Sequence, residues 1–205
     1  DEPGKQSLAG HLFHSGLPAD ATFTSPRAWA FVLLGIDEYL RAFQGDSNVQ
    51  SIRRTLAQRL LDLFRRTRTS DWPWFEDRLT YSNARLSQAL LVSGARMEHD
   101  EMTTAGASPL AWLASLQCSE EGYFTPIGSN GFYRRGERKA LFDQQPLEAC
   151  AMISACLEAR RVTGEGRWME HARRAFGWFL GQNHLQQSVY DATTGAGSGS
   201  AAPEK

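Results

Sequence analysis

Asp71-Trp72-Pro73-Trp74-Phe75-Glu76-Asp77-Arg78-Leu79-Thr80-Tyr81-Ser82-Asn83-Ala84-Arg85 packs four aromatics, three carboxylates and two arginines into a linker that opens directly into a helix. A segment that only joined two helices needs a few polar residues, so this crowding marks a surface built to hold something. The helix it opens runs from about Asn83 to Arg96 and is richly apolar, with Leu86, Ala89, Leu90, Leu91 and Val92. Its partner runs from roughly Asp100 to Gln117, with Leu110, Leu113 and Leu116 as one stripe. Pro109, after Ser108, marks a kink or a late start there.

The same pair recurs on either side. Ser25-Pro26 is an N-cap followed by proline at the first helical position, and the pattern stays apolar to Phe43. Trp29, Val32, Leu33, Ile36, Leu40 and Phe43 make one face, and Phe31, Leu34 and Tyr39 carry apolar character to a second, so this helix is expected to be covered on most sides. Gly45-Asp46-Ser47 ends it and caps a partner reaching about Arg66. Val49, Ile52, Leu56, Leu60 and Leu63 face inward there, and Arg53, Arg54, Gln58, Arg59, Asp62 and Arg66 face outward. A third pair begins at Gln145-Pro146 with small residues, Ala149, Cys150, Ala151, Ser154, Ala155, Cys156 and Ala159, suited to close helix approach. Its partner spans about Arg167 to Gln182, with Trp168, Ala172, Ala175, Phe176 and Phe179 facing in.

Inner helices starting near positions 26, 83 and 145 give a repeat of about sixty residues, an all-α array of helical hairpins and not a tetratricopeptide or ankyrin array. Connections from inner to outer helix are short. Those from outer to inner helix, Thr67 to Ser82 and Ser119 to Gln144, are long. Antiparallel hairpins put every long loop at the same end, where one rim collects the unusual side chains.

That rim offers Trp72, Trp74, Tyr81, Phe124 and Tyr133 as flat surfaces for sugar rings, and Asp77, Asn83, Arg85, Arg134, Asp143, Gln144, Gln145 and Glu148 as hydrogen-bonding groups. Aromatic plates beside amides and carboxylates suit a neutral polyhydroxy ligand, an oligosaccharide. The competing reading is that the aromatics plug the end of the helices while Asn83, Asp143 and Gln144 cap them. Glycoside hydrolysis needs two carboxylates across the scissile bond. The candidates are Glu76 or Asp77 from the first loop and Asp143 or Glu148 from the second, with Asp77 and Asp143 preferred as acid and base. An epimerase or isomerase would draw on histidine, and the long loops contain none.

Lysine plus arginine (22) nearly cancels aspartate plus glutamate (23), so no overall field draws the chain to nucleic acid or an anionic membrane. At 205 residues and 41% hydrophobic content the chain can fill a real core, and its longest apolar runs fall short of a membrane span. Cys118, Cys150 and Cys156 lack paired spacing and read as buried thiols of a reducing compartment. The chain opens Asp-Glu-Pro-Gly with no signal-like segment, so cytoplasm is the expectation, and the missing methionine suggests a start that was cut away. His11 and His14 read as an ordinary loop pair; no metal or cofactor is expected.

Trp72 to Tyr81 with Asn83-Ala84-Arg85-Leu86, then Gly128-Ser129-Asn130-Gly131-Phe132-Tyr133, Phe142-Asp143-Gln144-Gln145-Pro146 and Trp178-Phe179-Leu180-Gly181-Gln182-Asn183, resemble a bacterial glycosyltransferase-associated family. Its members occur alone or attached to group 1 glycosyltransferases, and near mannoside phosphorylase genes. The resemblance covers Ser70 to Gly195 and implies an (α/α)6 toroid of the six-hairpin glycosidase type, acting on or holding mannose-type oligosaccharides. It also implies an alternative, a non-catalytic module partnered with a glycosyltransferase domain. Two departures stand out: Ser82 replaces the family's usual Asp, and after Tyr190-Asp191 the chain turns to Gly, Ser and Ala instead of a cysteine-containing loop and a last helix. Three hairpins are half of six, so the expected fold is a partial barrel with apolar faces left exposed. The expected organisation is an irregular segment over 1–25, an α-hairpin toroid domain over 26–191 and a disordered tail over 192–205.

Overall fold

The computed structural model describes residues 3–17, 23–191 and 193–195. They form α1 (Pro3–Gly16), α2 (Pro26–Ala42), α3 (Ser47–Thr67), β1 (Arg78–Leu79), α4 (Asn83–Arg96), α5 (Asp100–Leu116), β2 (Tyr133–Arg134), α6 (Pro146–Thr163) and α7 (Arg167–Gly177). The fold is all-α apart from one two-stranded ladder. Starts at Pro26 and Pro146 follow from proline at the first helical position, where no backbone N–H is missed. Asp46 caps α3 by accepting from the Val49 N–H at 3.0 Å.

The helices pack as the hairpin pattern requires. α2 pairs with α3, α4 with α5 and α6 with α7, and α4 also lies against both α2 and α6. One core runs through them all, from Leu33 of α2 and Leu60 of α3 through Leu90 and Leu113 to Ala155 and Trp168. Small residues set the spacing. A Cβ on Gly106 of α5 would stand 2.4 Å from the Leu91 backbone nitrogen, so α4 and α5 touch backbone to backbone there.

Several expectations need correction. Residues 3–16 are not irregular but helical, and α1 docks through Phe13 stacked on Tyr39 at 4.3 Å. Its weak signature has a cause, since Leu8 and Leu12 stay exposed. His11 and His14 therefore stand on a helix, with His14 Nε2 2.7 Å from the Tyr39 hydroxyl. Phe31 is half exposed, so the second face of α2 is open at that residue, while Tyr39 on the same face is covered by Phe13. Arg53, expected outside, is buried. α5 runs unbroken through Pro109. α7 stops at Gly177, short of Gln182, because the chain turns back there and the Gln182 N–H donates to the Gly177 carbonyl at 2.9 Å. Cys150 is exposed, while burial pushes the Cys156 thiol up to about 12. No helix among the described residues is long and apolar enough to cross a membrane. Residues 18–22 of the expected irregular segment and most of the expected tail over 192–205 lie outside the described residues.

Candidate functional site

The two long loops meet. β1 and β2 pair antiparallel, with Arg78 opposite Arg134 and Leu79 opposite Tyr133. The Arg135 N–H donates to the Asp77 carbonyl at 2.9 Å, and the Arg135 guanidinium reaches both Asp71 oxygens at 2.9 Å. The rim expected from antiparallel geometry is therefore one physical surface.

Beneath it the starts of α2, α4 and α6 converge on a buried polar network. Arg27, in the first turn of α2, donates from Nε to the Tyr81 carbonyl at 2.7 Å, from one Nη to Asn83 Oδ1 at 3.1 Å, and from the other to the Glu76 carboxylate. Asn83 Oδ1 also accepts the Thr80 N–H at 3.0 Å, and its Nδ2 donates to Glu148 Oε2 at 3.0 Å. The second Glu148 oxygen accepts the Ser82 N–H. Ser82 sits in the left-handed region at φ 50° and makes no side-chain cap, so a carboxylate from α6 satisfies the start of α4. That a neighbouring helix supplies the cap is invisible to local sequence rules.

This network and the core absorb many residues proposed for ligand contact. Trp72, Trp74 and Phe124 are buried, which corrects their reading as sugar plates. Trp72 Nε1 donates to the Glu76 carbonyl at 2.7 Å, and its ring meets Trp112 and Tyr133 edge-on at 5.1 Å. Indole faces engaged in this way plug the ends of the helices. Asn83, Gln144 and Glu148 are likewise buried and bonded within the protein; Gln144 Oε1 accepts from Trp178 Nε1 at 2.9 Å. Asp143 (φ 61°) accepts from Ser129 Oγ and from Gln145 Nε2 at 3.1 Å, and so holds the second loop against the start of α6. Asp77 is exposed beside Arg78, Nε at 3.1 Å. Among the described residues no hydrogen bond or ion pair joins Asp77 to Asp143. Of the four carboxylates, Glu76 and Glu148 share one network and the other two stand apart.

Tyr81, Arg85, Tyr133, Arg134 and Gln145 keep exposed surface. Tyr81 lies over Arg27, whose guanidinium carbon is 5.3 Å from the ring centroid. Arg85 opens into a concave surface, a groove of about 380 Å³ between α2, α4 and α6. Phe31 and Glu38 line it from α2, Arg85, Gln88 and Val92 from α4, and Glu158 from α6. Arg85 donates to Gln88 Oε1 at 2.8 Å; burial lowers its pKa, and no Asp or Glu among the described residues pairs with it. Glu38, Gln88 and Glu158 escaped the sequence reading, and Phe31 entered it only as a covered apolar residue. Their one signal was that the apolar second face of α2 carries Glu38 and Arg41 one and two turns further on.

Burial raises the pKa of Glu148, against the Asn83 and Ser82 donors and the Arg27 charge. A raised folded value means the folded state holds the proton more tightly than the unfolded chain, whose glutamates titrate near about 4.3. The contribution is full below that value and lost as pH rises through the folded pKa. The unfolding free energy of the native chain relative to Glu148→Gln should therefore fall as pH rises above the unfolded value of about 4.3. Urea unfolding of both proteins checks this, and a difference that rises with pH reverses the assignment.

No protein-family model matches the chain, and no curated protein matches it either.

Proposed function

We propose that this chain is an arc of an α/α toroid that holds a neutral, mannose-type oligosaccharide in the groove between α2, α4 and α6. It would act as a non-catalytic module beside a glycosyltransferase in a reducing, cytoplasmic compartment. The observation that carries this reading is the groove itself. An exposed Phe31 ring stands beside Arg85, Gln88, Glu38 and Glu158, an apolar plate among donors and acceptors. A half-buried guanidinium with no carboxylate partner among the described residues favours a ligand rich in acceptor oxygens. The half-exposed Phe31 and Leu157 also suit helices that belong to a larger ring.

Binding is favoured over hydrolysis because Glu76 and Glu148 are spent on Arg27, Asn83 and Ser82, and Asp143 on its own loop. A glycosidase reading survives on one observation. Glu38 and Glu158 approach the same Arg41 guanidinium, at 3.4 and 3.8 Å, from α2 and α6. Titration calorimetry with manno-oligosaccharides tests the binding. The native chain should bind saturably, and Phe31→Ala or Arg85→Ala should weaken it by about tenfold or more. Native protein that binds no member of a manno- and gluco-oligosaccharide panel sinks the proposal. Turnover that is lost in Glu158→Gln transfers it to the enzyme reading.

A further inference from the structure

Toward the C-terminal end of α2 a second concavity adjoins the groove and shares Asp37 and Arg41 with it. Arg27 and Arg41 mark the two ends of α2, fourteen residues and so about 21 Å apart at helical rise. Here Asp37 is almost fully buried among arginines. Arg96 takes both of its oxygens, Nε at 2.8 Å and an Nη at 3.3 Å. Arg41 approaches at 3.5 Å and Arg53 at 3.7 Å, without hydrogen bonds to it. A carboxylate has two oxygens, and three guanidinium groups bring many more donors than it can accept. Arg54 joins them at the rim of a pocket of about 560 Å³.

Two of these arginines have a structural account. Arg41 and Arg96 sit in the last turns of α2 and α4, where a cation offsets the helix dipole, and Arg41 also meets Glu38 and Glu158. Arg53 and Arg54 have none. Arg53 keeps only 7% of its surface, and among the described residues it makes no hydrogen bond and has Asp37 as its single ion-pair contact. Arg54 is exposed and has no partner among the described residues. A nearly buried cation that is not hydrogen-bonded is costly, and burial lowers its pKa with Arg96 adding to the effect. An added anion would relieve both.

We propose that Arg53 and Arg54, with Arg41 and Arg96 behind them, bind the phosphate group of a small phosphorylated molecule in this pocket. A phosphate presents three or four oxygens to converging guanidinium groups and carries up to two charges, whereas a carboxylate, the role Asp37 already fills, presents two. The pocket is larger than phosphate alone requires and falls within the range of small-molecule sites. Gln44 and Gln50 line its wall as further hydrogen-bonding groups.

The test is an NMR titration of the arginine Nε–Hε resonances with inorganic phosphate, against sodium chloride at matched ionic strength. The native chain should show a saturable shift of Arg53 with phosphate and none with chloride. Arg54→Gln, an exposed change that leaves the core intact, should weaken phosphate about tenfold or more. Arg53→Met should abolish it, and Arg135→Gln at the far end should leave it unchanged. Shifts that grow linearly with both salts, or equal phosphate affinity in native and Arg54→Gln protein, overturn the site and leave the cluster as support for Asp37. Although the two sites share Asp37 and Arg41, Phe31 and Arg85 line only the groove and Arg53 and Arg54 only this pocket, so Phe31→Ala should leave phosphate binding unchanged and keeps the two outcomes distinct.

Discussion

Arg27→Met is expected to lower the unfolding free energy by about 3–5 kcal/mol, the range for removing one partner of a buried ion pair. Methionine replaces the aliphatic stem but not the guanidinium, so most of the loss is polar. Glu76 would lose its cation, while the Tyr81 carbonyl and Asn83 Oδ1 would each lose a donor, in a site where Arg27 and Asn83 are almost fully enclosed. Glu76 is about a quarter exposed, so water can recover part of its solvation and the lower half of the range is favoured. For a chain of this size the change corresponds to a melting temperature roughly 6–20 °C lower. Thermal and urea unfolding check the magnitude. The double variant Arg27→Met, Glu76→Gln isolates the pair: if the two substitutions act through one contact, it should be more stable than the sum of the singles implies. Strict additivity would place the effect in the carbonyl and amide contacts instead.

That network also shows what a single sequence conveys and what it does not. The boundaries of α2 to α5 and the start of α6 were legible to within a residue or two, because Ser25-Pro26, Asp46-Ser47 and Gln145-Pro146 are strong start signals and the apolar stripes follow helical spacing. Loop lengths then placed Thr67–Ser82 and Ser119–Gln144 at one end, as the β1–β2 pairing bears out. Burial was less legible. Trp72, Trp74 and Phe124 are the same residue types whether they stack on a ligand or fill a core, and only the third dimension distinguishes them. Arg27 went unnoticed because its partners lie far along the chain, 49 residues away at Glu76 and 56 at Asn83. Arg53 was placed outside by its charge, yet it is turned in toward Asp37 of another helix. Phe31 met the opposite error: periodicity assigned it a covering that the described residues do not provide.

Trp178→Ala should have the largest effect of any single change at the rim, because it combines two losses. The indole is fully buried at the end of α7, edge-on to Phe179 at 5.2 Å, and truncating such a ring costs about 3–5 kcal/mol in transfer and cavity terms. Its Nε1–H is also the donor to Gln144 Oε1, and Gln144 is 1% exposed, so no bulk water replaces the bond without rearrangement. An acceptor stranded in this way adds about 1–3 kcal/mol. The sum rivals the whole stability of many domains, about 5–15 kcal/mol, so Trp178→Ala is expected to be partly unfolded near body temperature. Trp178→Phe separates the terms, since it keeps most of the ring volume and removes only the donor. It should cost roughly 1–3 kcal/mol in urea unfolding. The two substitutions should also differ in place. Gln144 donates to the Leu141 carbonyl at 3.1 Å and to the Thr125 hydroxyl at 3.4 Å, so its bond from Trp178 ties the second long loop to the end of α7. Trp178→Phe should therefore raise amide exchange in the 125–145 segment while the α4–α5 interface stays protected. Equal losses in the two variants would show that the bond to Gln144 outweighs the packing of the ring, and exchange that rises evenly through all the helices would remove the local role assigned to it.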